Sequence, residues 1–441
     1  MAALKKTSAA KANGSKSPAV KKRSGNVILR LLGPGLVTGA ADDDPSGIAT
    51  YSQAGAQFGF GLLWTVFLTT PFMIAIQVIS AKIGRVTGRG IVGNLMLVVP
   101  RPVVLVIVAL LLAANTFNIA ADIAAMGEAL TLVVGGLKHE HALIFAAASV
   151  LLQVFVPYRH YAPVLKFATL ILFLYVATAF TVKIPWGEAL AATVLPQISF
   201  NSDYLMMVVA VLGTTISPYL FFWQASQEVE EMNQGRIQQP LKNASRSGQL
   251  EMKRIFLDTA VGMVLSNVVA FFIILTTAAV LNSHGITEIH SAADAANALK
   301  PLAGELTFVL FALGIIGTGM LAIPVLAGSA AYCVADAMGW RGSLEAKAAE
   351  ATGFYSIVAA ATIIGFALTF TPFDPMKMLV WSAVLNGIVA VPVMAAMMLI
   401  VTNQKIMHIF AASKPLKIAG WLATAIMLLA VLALGAASFW Q

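Results

Sequence analysis

Apolar runs of the length a helix needs to cross a bilayer follow one another along this chain, separated by short polar breaks. Eleven spans are predicted, near residues 27–59, 60–82, 102–131, 141–157, 161–182, 203–231, 252–281, 302–337, 348–370, 375–402 and 415–439. The run at 302–337 is long enough to continue past the bilayer, and residues 288–300 read as a short amphipathic surface helix. The pattern is that of an all-α polytopic membrane protein, with one membrane domain over residues 26–441.

Two of these spans are interrupted. The first breaks near 40–45, in Asp42-Asp43-Asp44-Pro45-Ser46-Gly47, and the sixth near 214–218, in Gly213-Thr214-Thr215-Ile216-Ser217-Pro218. Pro45 has no amide hydrogen, and Gly39 and Gly47 flank the acidic run, so the backbone there is suited to unwinding and presenting bare carbonyls. Irregular backbone at membrane depth is tolerated only around a cavity. Interrupted helices five spans apart point to two inverted five-helix repeats with a site between them at mid-membrane. The expectation is a leucine-transporter-type fold, with helices 1 and 6 interrupted and an eleventh helix added. Three consecutive carboxylates in such a break read as a functional site, and a cation is the natural ligand.

Composition agrees: 59% of residues are hydrophobic, 11% are charged, and the mean hydropathy is +0.84. The formal charge of +8 does not indicate nucleic acid, because the basic residues fall in the breaks between spans. Breaks two, four, six, eight and ten carry Arg85, Arg89 and Arg101, then Arg159, then Arg236, Lys242 and Arg246, then Arg341 and Lys347, then Lys405 and Lys414. The positive-inside rule then predicts a multi-pass protein of the inner or plasma membrane, N-terminus cytoplasmic and C-terminus extracytoplasmic. Residues 1–25, rich in Lys, Ala, Ser and Gly, are predicted to be a disordered basic tail lying against anionic lipid rather than a signal peptide. The single cysteine, Cys333, sits in an apolar stretch and reads as packing. No nucleophile–base pair or histidine cluster suggests an enzyme, and no cofactor is expected.

Gly33-Pro34-Gly35, Asp44-Pro45-Ser46-Gly47-Ile48-Ala49-Thr50 and Gln53-Ala54-Gly55-Ala56-Gln57-Phe58-Gly59 together resemble the first transmembrane helix of the NRAMP family of divalent metal transporters. The resemblance implies that Asp44 and the carbonyl of Ala41 hold the metal. Gly47 falls where the family has a metal-binding asparagine, and Thr214, Ser217 and Tyr219 fall where it has alanine, methionine and histidine. A thioether favours transition metals, whereas an all-oxygen pocket with extra room suits a partly hydrated Mg²⁺. The set therefore looks like the NRAMP-related magnesium transporter clade, with Mg²⁺ or Mn²⁺ as transported substrate. Asp122 matches an acid of the family's proton route, but Asn115 and Ala125 stand where coupled members carry glutamates. Transport without obligatory proton coupling is expected; a proton-coupled manganese or iron importer is the alternative. A sodium-coupled amino-acid carrier of the same fold is disfavoured, since the Asp triplet would repel a substrate carboxylate.

Other roles stay open beside these. Asp44 is also a good N-cap for the second half-helix. Asp42 and Asp43 either add to the negative field that draws in a hydrated dication or face water in an inner vestibule. Thr214 and Ser217 serve as ligands or satisfy unwound backbone. Gln53 and Asn386 bond between helices or reach the ion through water. Glu128 has no family counterpart, and Glu228, Glu230 and Glu231 are expected in solvent or paired with basic loop residues. Met206-Met207 and Met394 to Met398 read as packing. Asn243-Ala244-Ser245 fits a glycosylation pattern that its predicted side makes inert.

Overall fold

A computed structural model describes residues 33–158, 160–161, 169–234, 239–243 and 248–439. The basic tail, Arg159, Arg236, Arg246 and the last two residues of the glycosylation pattern lie outside the described residues. Among those described, all regular structure is helical.

The first span is two half-helices, α1 (Pro34–Asp42) and α2 (Pro45–Phe58), and Asp43 and Asp44 form the break. Each begins with proline at its first position, where a missing amide hydrogen costs nothing. Then follow α3 (Leu63–Thr87), α4 (Arg101–Val134), α5 (Lys138–Phe155) and a fifth span described only from Thr169, ending in α6 (Phe173–Ala179). The sixth span is again two pieces, α7 (Ser202–Thr215) and α8 (Pro218–Gln234), parted at Ile216 and Ser217. The rest are α9 (Gly248–Val280), α10 (Thr307–Met338), α11 (Thr352–Leu368), α12 (Pro375–Thr402) and α13 (Lys414–Phe439). Within the expected 288–300, helical turns begin at Ala292, with Ala292, Ala295, Ala296, Ala298 and Leu299 buried and Lys300 exposed.

Packing follows the repeat. Both halves of the broken first span lie along α9, the seventh span, and both halves of the broken sixth lie along α3, the second. That exchange of partners five spans apart is what two inverted repeats require, and α4 and α10, the third and eighth spans, run side by side between them. The arrangement is of the leucine-transporter type. Glycines allow the closest crossings: a Cβ on Gly39 would lie 2.3 Å from the Gly262 carbonyl oxygen, and one on Gly213 would lie 2.1 Å from that of Ala383. The last helix, α13, keeps Trp421, Leu429 and Leu432 exposed, as a lipid-facing helix should.

Candidate metal site

Asp44 ends the break in the first span, with extended backbone, and caps α2 by accepting the Gly47 amide on Oδ1 at 2.7 Å. Its Oδ2 accepts from Asn118 Nδ2 of α4 at 3.0 Å and from the Tyr219 hydroxyl of α8 at 3.2 Å. The same hydroxyl lies 3.2 Å from the Ala41 carbonyl oxygen. One buried carboxylate is thus held by donors from three elements, and α1 contributes a bare carbonyl beside it.

Gly47 and Thr214 are neighbours across the two breaks: a Cβ on Gly47 would lie 3.1 Å from Thr214 Oγ1. Ser217 donates to the carbonyls of Gly213 at 2.9 Å and Thr214 at 2.7 Å, so its hydroxyl satisfies the frayed end of α7. Asp122 stands one helical turn beyond Asn118 on the same face of α4, within electrostatic reach of Asp44. Both its oxygens, together with Asn118 Oδ1, Ser46 Oγ and Thr50 Oγ1, are buried without a hydrogen-bond partner. The break is therefore rich in oxygen lone pairs. Among the described residues no three His, Cys, Asp or Glu side chains converge as a preformed metal centre, so a cation here would need carbonyls and water to complete its shell.

The remaining expected site residues make other contacts. Asp42 and Asp43 do not face water: they are 0% and 5% exposed and both approach the Ser266 hydroxyl of α9, at 2.6 and 3.0 Å. The vestibule reading fails because α9 packs directly over the acidic run. Gln53 pins the segment after α9, donating to the Thr287 carbonyl at 3.1 Å and accepting the Ile289 amide at 2.9 Å. It lines a cavity of about 320 Å³ with Ala49, Asp203, Met206, Met207, Glu288 and Trp381. Asn386 is buried in α12 with its Oδ1 unpartnered. Asn115 donates to the Leu326 carbonyl and the Ser329 hydroxyl of α10, at 2.9 and 2.8 Å. Glu128 accepts the Ala292 amide.

Glu228 is not in solvent but fully buried, bonded to Gln224 at 3.2 Å and 3.7 Å from Arg254 of α9. Glu231 pairs with the same arginine at 2.8 Å, and Glu230 accepts from the Tyr332 hydroxyl. Met207, Met394, Met397 and Met398 are core residues, as is Cys333. Asn118 is the residue beside Asp44 that sequence reasoning missed. Its signal was the four-residue spacing to Asp122, which places both on one helix face.

Two broken helices meeting at a buried carboxylate within a multi-pass apolar bundle define a membrane transporter of the interrupted-helix class. A sequence profile described as natural resistance-associated macrophage protein-like, that of the Nramp family, matches residues 35–437, and the chain belongs to that family. It is accordingly a transporter and not an enzyme. Among curated relatives, the divalent metal cation transporter MntH of Klebsiella pneumoniae strain 342 is 25% identical over 409 residues, covering 91% of this chain and 92% of its own. The protein of the same name from Aeromonas hydrophila is 28% identical over 302 residues, 66% of this chain and 70% of its own. A crystal structure of the Eremococcus coleocola manganese transporter, in complex with an aromatic bis-isothiourea substituted compound, shares the fold, with a TM-score of 0.74 at 16% identity over 94% of this chain and 88% of that one.

Proposed function

We propose that this chain carries divalent metal cations by alternating access, taking Mg²⁺ preferentially and Mn²⁺ as well, without obligatory proton coupling. The relatives' names, divalent metal cation transporter and manganese transporter, support the class of cargo. The observation that carries the choice of ion is the donor set. The position matching the family's thioether is Ser217, so the break facing Asp44 presents hydroxyl and carbonyl oxygen where a sulfur would stand. Asp44 and the Ala41 carbonyl supply the first contacts, Gly47 lets the first break lie close against Thr214 Oγ1, and the Thr214 carbonyl lies at the facing break. Unpartnered oxygens on Ser46, Asn118 and Asp122 are suited to the waters that Mg²⁺ keeps.

The uncoupled mechanism rests on neutral groups where a proton would travel, above all Asn115, whose amide ties α4 to α10. A dication entering a negative interior gains about 4.6 kcal/mol per 100 mV, twice the single-charge value, so accumulation needs no second gradient. This assumes the N-terminus is cytoplasmic, as the distribution of basic residues supports. Asp122 favours the second reading, proton symport, because it is a buried carboxylate one helical turn from Asn118 and matches an acid of the family's proton route.

Flux of Mg²⁺, Mn²⁺ and Ca²⁺ into proteoliposomes, with lumenal pH recorded simultaneously, separates the two. Uptake at equal pH, accelerated by an inside-negative potential, without added acidification and lost in Asp44→Ala, is the expected result. Metal-dependent acidification that disappears in Asp122→Asn would establish symport instead. Undiminished Mg²⁺ flux in Asp44→Ala would remove the site.

A further inference from the structure

Tyr219 stands at the second position of α8, its ring 1% exposed, where the two broken spans meet. Its hydroxyl is 3.2 Å from the Ala41 carbonyl oxygen and 3.2 Å from Asp44 Oδ2. Both of those atoms are acceptors only, so the single phenolic hydrogen is directed toward the pair. They are also the two oxygens that the metal-carrier reading assigns to the ion, and the present inference rests on that reading. A dication bound to them would face that hydrogen, and the repulsion would force the hydroxyl to turn it away.

A carrier that works by net transport must reorient after releasing its ion, and at that moment a buried carboxylate has lost its counter-charge. Unpaired buried charge is costly unless donors replace the partner. Asp44 keeps the Gly47 amide and the Asn118 amide, and the third donor comes from Tyr219, which also satisfies the bare carbonyl of Ala41. The hydroxyl spans α1, the break and α8, so it holds the two moving halves together when no ion does so. We propose that the Tyr219 hydroxyl stands in for the ion during the cargo-free return, so that net transport depends on it while ion-for-ion exchange does not.

Exchange never passes through the cargo-free return, and this makes the idea testable with Tyr219→Phe. Purified carrier is reconstituted and assayed in two ways: net Mn²⁺ uptake into metal-free vesicles, and entry of radioactive Mn²⁺ into vesicles preloaded with unlabelled Mn²⁺. The ratio of net uptake to exchange should fall roughly tenfold, the change expected on losing one hydrogen bond to a charged group. Equilibrium Mn²⁺ binding by calorimetry should be unchanged or tighter, since a competing donor is gone. The ratio does not depend on how much carrier is active, so Tyr219→Leu can be read in the same way if the Phe variant reconstitutes poorly. Net uptake and exchange falling together with weaker binding would make Tyr219 a ligand and overturn the proposal, as would an unchanged ratio. A parent protein showing neither uptake nor exchange of Mn²⁺ or Mg²⁺ would instead defeat the metal-carrier reading itself.

Discussion

The carboxylate of Asp258 receives the amide of Gly35 at 2.8 Å, and so ties α9 to the first turn of α1. Its other oxygen takes the amides of Gly33 at 3.0 Å and Leu36 at 3.3 Å. Three donors that a helix start leaves without partners are thereby satisfied by one side chain from a helix more than two hundred residues away in sequence, and its charge opposes the positive end of the helix dipole.

Asp258→Asn keeps the shape but leaves one side-chain oxygen for three amides and removes the charge. We expect α1 to detach from α9 more readily, with hydrogen exchange at Gly35 and Leu36 rising about tenfold, the worth of a hydrogen bond to a charged group. Protection of α2 (Pro45–Phe58) should be unchanged. Equal loosening of both halves would mean that Asp258 supports the whole span and not the end of α1 alone.

Gly39→Ala tests the crossing of α1 over α9. The added Cβ would meet the Gly262 carbonyl at 2.3 Å, and the obstacle is backbone, so a helix must move. A cost of about 1–3 kcal/mol is expected. It should appear as a lower thermal midpoint in detergent and slower metal flux. A midpoint within error of the parent would show that α1 is not held as closely as drawn.

Selectivity is the third prediction. Gly47→Asn with Ser217→Met restores two family ligands, and sulfur rewards softer ions, so Mn²⁺ and Cd²⁺ should gain on Mg²⁺ in competition assays. The structure adds a condition. A side chain at 47 starts 3.1 Å from Thr214 Oγ1, so the shift should be larger when Thr214→Ala is combined with the other two. If the triple variant keeps the parent order of preference, ligand softness does not govern the choice of ion.

The two breaks were legible to within a residue or two, because proline, glycine and carboxylates grouped inside an apolar run are costly to keep in a continuous membrane helix. Expected at 40–45 and 214–218, they fall at Asp43 and Asp44 and at Ile216 and Ser217. What could not be read was which polar side chains meet across helices. Asn118 reads as one more polar residue in an apolar helix until α4 is placed beside Asp44. Glu228 reads as solvated or paired with a basic loop residue until Arg254 arrives from α9 and Gln224 from the preceding turn. For Asp42 and Asp43 a place in the ion's field and a place in a watery vestibule read equally well until Ser266 covers them. In each case a partner comes from a different helix, and hydropathy carries no record of pairing.

Where Gly35, Gly39 and Gly262 bring backbone against backbone, α1 and α9 offer each other no knobs to interlock. Interdigitated helices must climb out of each other's grooves to shift; a smooth seam need not. A seam of this kind would let α1 turn slightly, like a shaft in a plain bearing, with few side chains to displace. Resistance to that turn is then concentrated in a few polar fastenings: Asp258 at the start of the helix, Thr38 against Gln224 along it, and Ser266 on the acidic run at its end. Movement of this half-helix is thus set by the breaking and making of a small number of hydrogen bonds, not by the repacking of a core.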